Sequence, residues 1–178
     1  MKKLFVSIVF SVIVSTGAFA QSNSVLAGGG AGLSIPSVCY INFNISYERM
    51  IVPNFSAVIN AGWDLYPLAL FFVAFMEDPA IDGWSIDAQA RWYPWAKTFH
   101  IDLGAGYGEY LGMGSIVVTP GLGWKIDFGE PGGFVMNIGI RGEWYIPIEE
   151  NIFKGSDQDG DLIPFNFFDF RLAFGYSF

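Results

Sequence analysis

The sequence from residue 84 to residue 107 reads WSIDAQARWYPWAKTFHIDLGAGY, and this stretch decides the fold. In its first part every second side chain is apolar, from Trp84 to Trp92, and the side chains between them are polar or charged, including Asp87 and Arg91. After a short break the alternation resumes. A period of two residues is typical of a β-strand with one apolar and one polar face, so the stretch predicts an antiparallel hairpin.

The same alternation recurs in five further segments, and a less regular Gly-rich segment precedes them all. In the seven alternating segments eleven charged residues fall on the polar face, and the apolar face carries only Arg49, at the end of its segment. The predicted strands are residues 24–33, 40–49, 55–64, 84–93, 99–107, 116–128, 134–145 and 168–178.

The composition is that of a membrane protein without membrane-spanning helices. Hydrophobic residues make up 52% of the chain and aromatic residues 18%, and there are 22 glycines. Outside the first twenty residues, no segment reaches the roughly 18 apolar residues of a spanning helix. The apolar run 65–76 comes closest, but it contains Pro67. Only helices and closed barrels cross a bilayer, because every backbone group must be paired there.

The lengths of the predicted connections support a barrel. Every even-numbered connection, at 50–54, 94–97 and 129–133, is a tight turn, whereas the odd-numbered ones include both long connections, 65–82 and 146–161. Outer-membrane barrels have short periplasmic turns and longer outer loops.

Aromatic residues on the apolar face gather near the two ends of the predicted strands, as expected for rings that prefer the membrane–water interface. On the side of the short turns they are Tyr47, Phe55, Trp92, Phe99, Trp124, Phe128, Phe134, Tyr176 and Phe178, and on the side of the long loops they are Trp63, Trp84, Tyr107 and Trp144.

We therefore predict an all-β fold, a transmembrane antiparallel up-and-down β-barrel of eight strands. Segment 24–33 is counted because a single-chain bacterial barrel needs an even number of strands. The alternative is a soluble β-sandwich, which would also alternate but would place fewer aromatic residues at its strand ends.

The N-terminus has the three parts of a secretory signal peptide. A basic start at Lys2 and Lys3 is followed by an apolar stretch over 4–14, and Ala18-Phe19-Ala20 forms a small-x-small cleavage site. We expect cleavage after Ala20 and a mature barrel of residues 21–178. An uncleaved anchor helix is the alternative.

The charge and the single cysteine exclude other classes. Removal of the signal peptide takes two lysines away and shifts the net charge from −8 to −10, so no basic patch suggests a nucleic-acid partner. Cys39 is the only cysteine, which excludes an internal disulfide framework.

The last strand ends in Phe174-Gly-Tyr176-Ser-Phe178. This ending resembles the C-terminal strand of bacterial outer-membrane proteins, which the barrel assembly machinery recognises. The chain as a whole resembles the small eight-stranded group that includes the OmpA membrane domain, OmpX and OmpW. The resemblance implies a location in the bacterial outer membrane, with outer-membrane lipid and the assembly machinery as partners.

Eight strands leave an interior just wide enough for side chains, so the inward charges should pair with one another. We expect a charge network that holds the lumen closed, as OmpA-like interiors do; a gated path that favours cations is the alternative. The predicted network consists of Glu48, Asp87, Arg91, Asp102, Lys125, Asp127, Arg141, Glu143, Asp169 and Arg171.

Three functions remain open from the sequence. The first is a surface-exposed barrel that contributes to envelope structure or host contact through acidic outer loops. The second is a narrow, porin-like pore for small apolar or cationic solutes, favoured by the apolar segment 65–76 and by the likeness to OmpW, whose relatives are associated with hydrophobic molecules. The third is an outer-membrane enzyme. We predict no catalytic residue, cofactor or metal site, because His100 stands alone and the acidic run 157–161 lacks EF-hand spacing.

Overall fold

The computed structural model describes residues 23–35, 38–65, 82–95, 98–110, 113–129, 132–148 and 165–178. None of these residues forms a helix long and apolar enough to span a membrane. The predicted signal peptide and most of the apolar segment 65–76 lie outside the described residues. The strands are β1 (Asn23–Ile35), β2 (Val38–Val52), β3 (Phe55–Leu65), β4 (Asp82–Trp92), β5 (Phe99–Tyr110), β6 (Met113–Phe128), β7 (Phe134–Pro147) and β8 (Phe165–Ser177).

The eight strands form one closed antiparallel barrel. Each strand pairs with its neighbours in sequence, and β1 closes the sheet by pairing with β8. The Gly-rich first strand is held on both sides, since Gly30 lies opposite Asn42 on β2 and opposite Arg171 on β8. The predicted eight-stranded barrel is therefore confirmed. Closure leaves no unpaired sheet edge, which is what hydrocarbon surroundings require.

Several strands extend further from the short turns than the alternation predicts. β2 begins at Val38, β6 at Met113 and β8 at Phe165, each two or three residues before the predicted start. Strand pairing uses backbone groups, so it continues through residues whose side chains do not alternate. As a result, only two residues separate β1 from β2 and β5 from β6, whereas the β3–β4 and β7–β8 connections remain long.

The barrel exposes apolar side chains on its outside and buries charged ones inside, the reverse of a soluble protein. On the outside, Leu103 is 62% exposed and Phe170 is 52% exposed, whereas on the inside Glu48 is 0% and Asp87 2% exposed. The outward side chains are those that the alternation placed on the apolar face. An apolar surface that runs around the whole barrel is stable when lipid chains cover it.

The two ends of the barrel differ. Backbone groups of Asn23 and Phe178 exchange hydrogen bonds of 2.8 Å, so the described chain begins and ends at the same rim as the short turns. At the β6–β7 turn, Gly129 and Gly132 have φ angles of 113° and 95°, which residues with a side chain rarely adopt. We call this rim the turn end and the opposite rim the loop end.

The exposed apolar band yields a test of membrane placement. Leu103 lies midway between the aromatic residues Phe99 and Tyr107 on the outer face of β5. We expect Leu103→Arg to lower the free energy of unfolding in lipid by about 2–4 kcal/mol, and Val52→Arg, at the turn end of β2, by about 0–1 kcal/mol. Urea titration of refolded protein in vesicles measures both. Equal losses in the two variants would contradict the placement of Leu103 at the centre of the membrane.

Candidate functional site

The barrel interior holds two groups of paired charges. The turn-end cluster consists of Glu48, Arg91, Asp102 and Lys125, and the loop-end cluster consists of Asp87, Arg141, Glu143, Asp169 and Arg171. Alternate residues of β2, β4, β5, β6, β7 and β8 supply these side chains, because a strand presents every second residue to the lumen. Nine of the ten residues in the predicted network lie in these two clusters.

Glu48 is the centre of the turn-end cluster. Its carboxylate lies 3.2 Å from Nη1 of Arg91 and 3.0 Å from Nζ of Lys125. The hydroxyl of Ser56 donates to its Oε1 at 2.6 Å, and the hydroxyl of Tyr93 donates to the same oxygen. A fully buried carboxylate is stable only with this kind of compensation, because the cost of removing it from water is several kcal/mol.

Arg91 links Glu48 to Asp102 through a two-pronged ion pair. Its Nε lies 2.8 Å from Oδ1 of Asp102 and its Nη2 lies 3.0 Å from Oδ2. His100 extends the group, with Nδ1 3.0 Å from Asp102 and Nε2 3.3 Å from Oδ1 of Asn137. Both ring nitrogens of His100 therefore have partners, which suits a structural role within the lumen.

Apolar side chains pack on one side of the turn end. Leu26, Val135 and Ala173 form a buried cluster on the side of the lumen where β1, β7 and β8 meet. We call the layer that these three residues and the turn-end cluster form the floor. It is apolar on one side and charged on the other.

The loop-end cluster is a chain of alternating charges. Asp87 lies 2.5 Å from Nη2 of Arg141, and Nε of Arg141 lies 2.9 Å from Glu143. Glu143 also lies 2.5 Å from Nη2 of Arg171, whose Nε lies 2.5 Å from Asp169. The chain connects β4, β7 and β8 across the lumen, and its three carboxylates are each 2% exposed or less.

The predicted network omitted one inward carboxylate, Asp64. It accepts a hydrogen bond from Asn42 at 2.5 Å, and the hydroxyl of Tyr145 lies 3.5 Å from it and 3.1 Å from Glu143. Asp64 shares the inward face of its strand with Ser56 and Asn60, so the alternation already pointed to it. With Asp64 included, the loop-end half has four carboxylates and two guanidinium groups, while the turn-end cluster has two acids and two bases.

Three aromatic side chains meet inside the barrel at the loop end. The rings of Tyr40 and Phe167 contact edge to face at a centroid distance of 5.4 Å, and those of Tyr145 and Phe167 at 5.2 Å. We call these three residues the ring cluster. Tyr40 and Tyr145 are end residues of the predicted segments 40–49 and 134–145 and have their inward phase, whereas Phe167 lies one residue before segment 168–178. Continuing the alternation by one step would have found Phe167.

A polar chamber of about 60 Å³ lies between the two clusters. Guanidinium groups of both clusters face it, and amide and hydroxyl side chains form much of the remaining wall: Asn44, Ser46, Asn60, Gln89 and Asn137. The lumen is therefore divided into a floor, a chamber and a loop-end half.

The structure places the remaining predicted residues outside these layers. Asp127 has the inward phase, but it is exposed because β6 ends at Phe128 and the side chain reaches the rim rather than the lumen. It is therefore not part of either cluster. Phe174, Tyr176 and Phe178 face outward and are 44–58% exposed near the turn end. Within the described ranges, no three His, Cys, Asp or Glu side chains are arranged to hold a metal ion.

Comparison with known proteins shows the fold alone. No family model and no curated protein matches the chain. Two solved structures of Ail, the attachment invasion locus protein of Yersinia pestis, superpose with a TM-score of 0.54 at 12% and 16% identity, covering 90% of this chain and all of Ail. One of them is a complex with the heparin analogue sucrose octasulfate. Neisserial surface protein A aligns at a TM-score of 0.48 and 12% identity over 90% of this chain and 97% of that one.

These observations define a transmembrane β-barrel with a charged, filled interior. Its architecture is that of the small eight-stranded outer-membrane barrels, the group that the sequence as a whole resembles.

Removal of one partner from the turn-end cluster gives a test of the pairing. Arg91→Met would leave the carboxylates of Glu48 and Asp102 buried without their guanidinium, and we expect a loss of about 3–5 kcal/mol in the free energy of unfolding. Arg49→Met is the matched control, since Arg49 lies on the outward face at the turn end, and we expect a change within about 0.5 kcal/mol. Chemical unfolding in detergent, followed by heat-modifiable gel mobility, measures both. A loss in Arg91→Met no larger than that of the control would contradict the pairing.

Proposed function

We propose that this chain is an exported, integral protein of the bacterial outer membrane whose interior is closed and whose function lies at its outer surface. Under this proposal, residues 1–20 are removed on export, and the barrel assembly machinery inserts residues 21–178 through the C-terminal signal Phe174, Tyr176 and Phe178. The barrel then acts as a rigid support for its outer loops, in envelope structure or in contact with a host surface.

The observation that carries the proposal is the continuous pairing of buried charges across the lumen. A conducting path past the loop-end cluster would have to separate Arg141 or Arg171 from carboxylates that are at most 2% exposed. Loss of a partner from a buried pair costs about 3–5 kcal/mol, so the open state would be rarely populated. The floor at Glu48 adds a second barrier of the same kind.

The outer loops suggest the chemistry of the partner. Residues 66–81 and 149–164 together carry seven acidic side chains and one lysine. Ail, a structural neighbour, binds a sulfated heparin analogue. The loops of this chain are acidic, so they would repel a polyanion of that kind and attract a cationic surface. We therefore propose that the partner is cationic, or apolar where segment 65–76 contributes.

A narrow pore for small cationic or apolar solutes is the second candidate. It is favoured by the polar chamber and by the excess of carboxylates in the loop-end half, which would select cations. We do not propose an enzymatic function, because both ring nitrogens of His100 are engaged by Asp102 and Asn137.

Planar-bilayer recording of refolded residues 21–178 separates the two candidates. We expect a silent bilayer from protein whose gel mobility shows a folded barrel, because both ion-pair layers must break before ions pass. Discrete cation-selective openings that change in Arg141→Ala or Arg171→Ala would overturn the closed interior and establish the pore.

The charge of the loops can be tested by surface retention. We expect the folded protein to bind polylysine-coated surfaces and to pass over heparin-coated ones, with retention that falls as salt rises. The variant carrying Asp157→Asn, Asp159→Asn and Asp161→Asn should bind polylysine more weakly, while Asp127→Asn, at the opposite rim, should bind as the parent does. Retention on heparin would contradict a cationic partner.

A further inference from the structure

The ring cluster lies where the lumen opens toward the loops. Phe167 is at its centre, between Tyr40 and Tyr145, and the three side chains are at most 1% exposed. They come from β8, β2 and β7, close to the loop end of each strand. Three large rings in mutual contact fill a substantial part of the cross-section of an eight-stranded barrel.

The ring cluster also reaches the opposite wall. The hydroxyl of Tyr145 lies 3.5 Å from Asp64 on β3, the strand directly across the barrel from β7. On β5, a Cβ added to Gly108 would lie 3.1 Å from the Tyr145 ring. On β1, a Cβ added to Gly32 would lie 2.5 Å from the ring of Tyr40. Glycine at these two positions leaves the space that the rings occupy.

The polar chamber lies deeper in the barrel. Its wall includes Asn44 and Ser46, further along β2 from Tyr40 toward the turn end, and Arg171 and Ala173, further along β8 from Phe167. A solute that enters from the loop end must therefore pass the ring cluster before it reaches the chamber. Arg141 and Arg171 of the loop-end cluster form part of the chamber wall.

We propose that the ring cluster is a steric gate, with Phe167 as its movable centre, and that it separates the polar chamber from the outer medium. The proposal rests on the closed interior argued above and adds a closure by aromatic packing on the loop side of the ion pairs. Movement of the Phe167 ring, together with separation of Arg141 or Arg171 from its carboxylates, would admit water and small cations to the chamber while the floor at Glu48 stays closed.

Thiol labelling of a residue in the chamber tests the gate. Ser46→Cys introduces a thiol into the chamber wall, and Cys39→Ser removes the native exposed thiol. In this background a small cationic methanethiosulfonate is added to protein reconstituted in vesicles, and mass spectrometry follows the modification. We expect Phe167→Ala to raise the labelling rate by roughly tenfold or more, because the rate follows the population in which the path is open.

Two controls isolate the gate from the rest of the barrel. Phe168→Ala removes the neighbouring ring, which faces outward at 50% exposure, and should label at the parent rate. Phe167→Leu keeps an apolar side chain in the gap and should also stay slow. If Phe167→Ala fails to show folded gel mobility, Tyr40→Ala removes the ring that contacts Phe167 from β2 and should raise the rate in the same way.

Two outcomes would overturn the gate. One is a folded parent that labels as fast as Phe167→Ala, which would mean that the rings do not close the lumen. The other is slow labelling in folded Phe167→Ala and Tyr40→Ala, which would place the closure elsewhere. Fast labelling of the parent in a barrel that remains silent in bilayers would remove the gate but leave the closed interior intact, because the floor alone would then block ions.

Discussion

The pairing of buried charges inside a narrow lumen is the constraint on which the rest of this structure depends. Eight strands enclose a space that side chains fill, and an unpaired carboxylate there has neither water nor a counter-charge to stabilise it. Each acid of the turn-end cluster therefore meets a base from a different strand, as Glu48 meets Arg91 and Lys125. These pairs join β2 to β4 and to β6 across the lumen.

The same constraint explains why the two halves of the lumen differ. In the turn-end cluster acids and bases are equal in number, and apolar side chains pack beside it. At the loop end, Asp64 adds a carboxylate that no arginine contacts at ion-pair distance in the described residues. The amide of Asn42 and the hydroxyl of Tyr145 donate hydrogen bonds to it instead. The loop-end half is thus more negative than the turn-end half.

Much of this architecture could be predicted from the sequence because a strand in a barrel has only two faces. Once Asp87 and Arg91 were known to share a face with Asp102 and Arg141, an inward charge network followed. The partners within it could not be predicted, because pairing depends on strand tilt and register. Asp127 was placed in the network since its phase is inward, but phase does not reveal how close a residue lies to the rim. Phe167 was missed because β8 begins before the alternating segment 168–178.

The central claim is that Glu48 and Asp102 are held by Arg91 within the membrane-embedded barrel. Solid-state NMR of the lipid-embedded protein tests it directly, by dipolar transfer between guanidinium nitrogens and carboxyl carbons. The account predicts strong transfer from Arg91 to the carboxyl carbons of both Glu48 and Asp102, which disappears in Arg91→Met. Transfer from Arg91 to neither carboxyl, in a sample with the strand signals of a folded barrel, would contradict it.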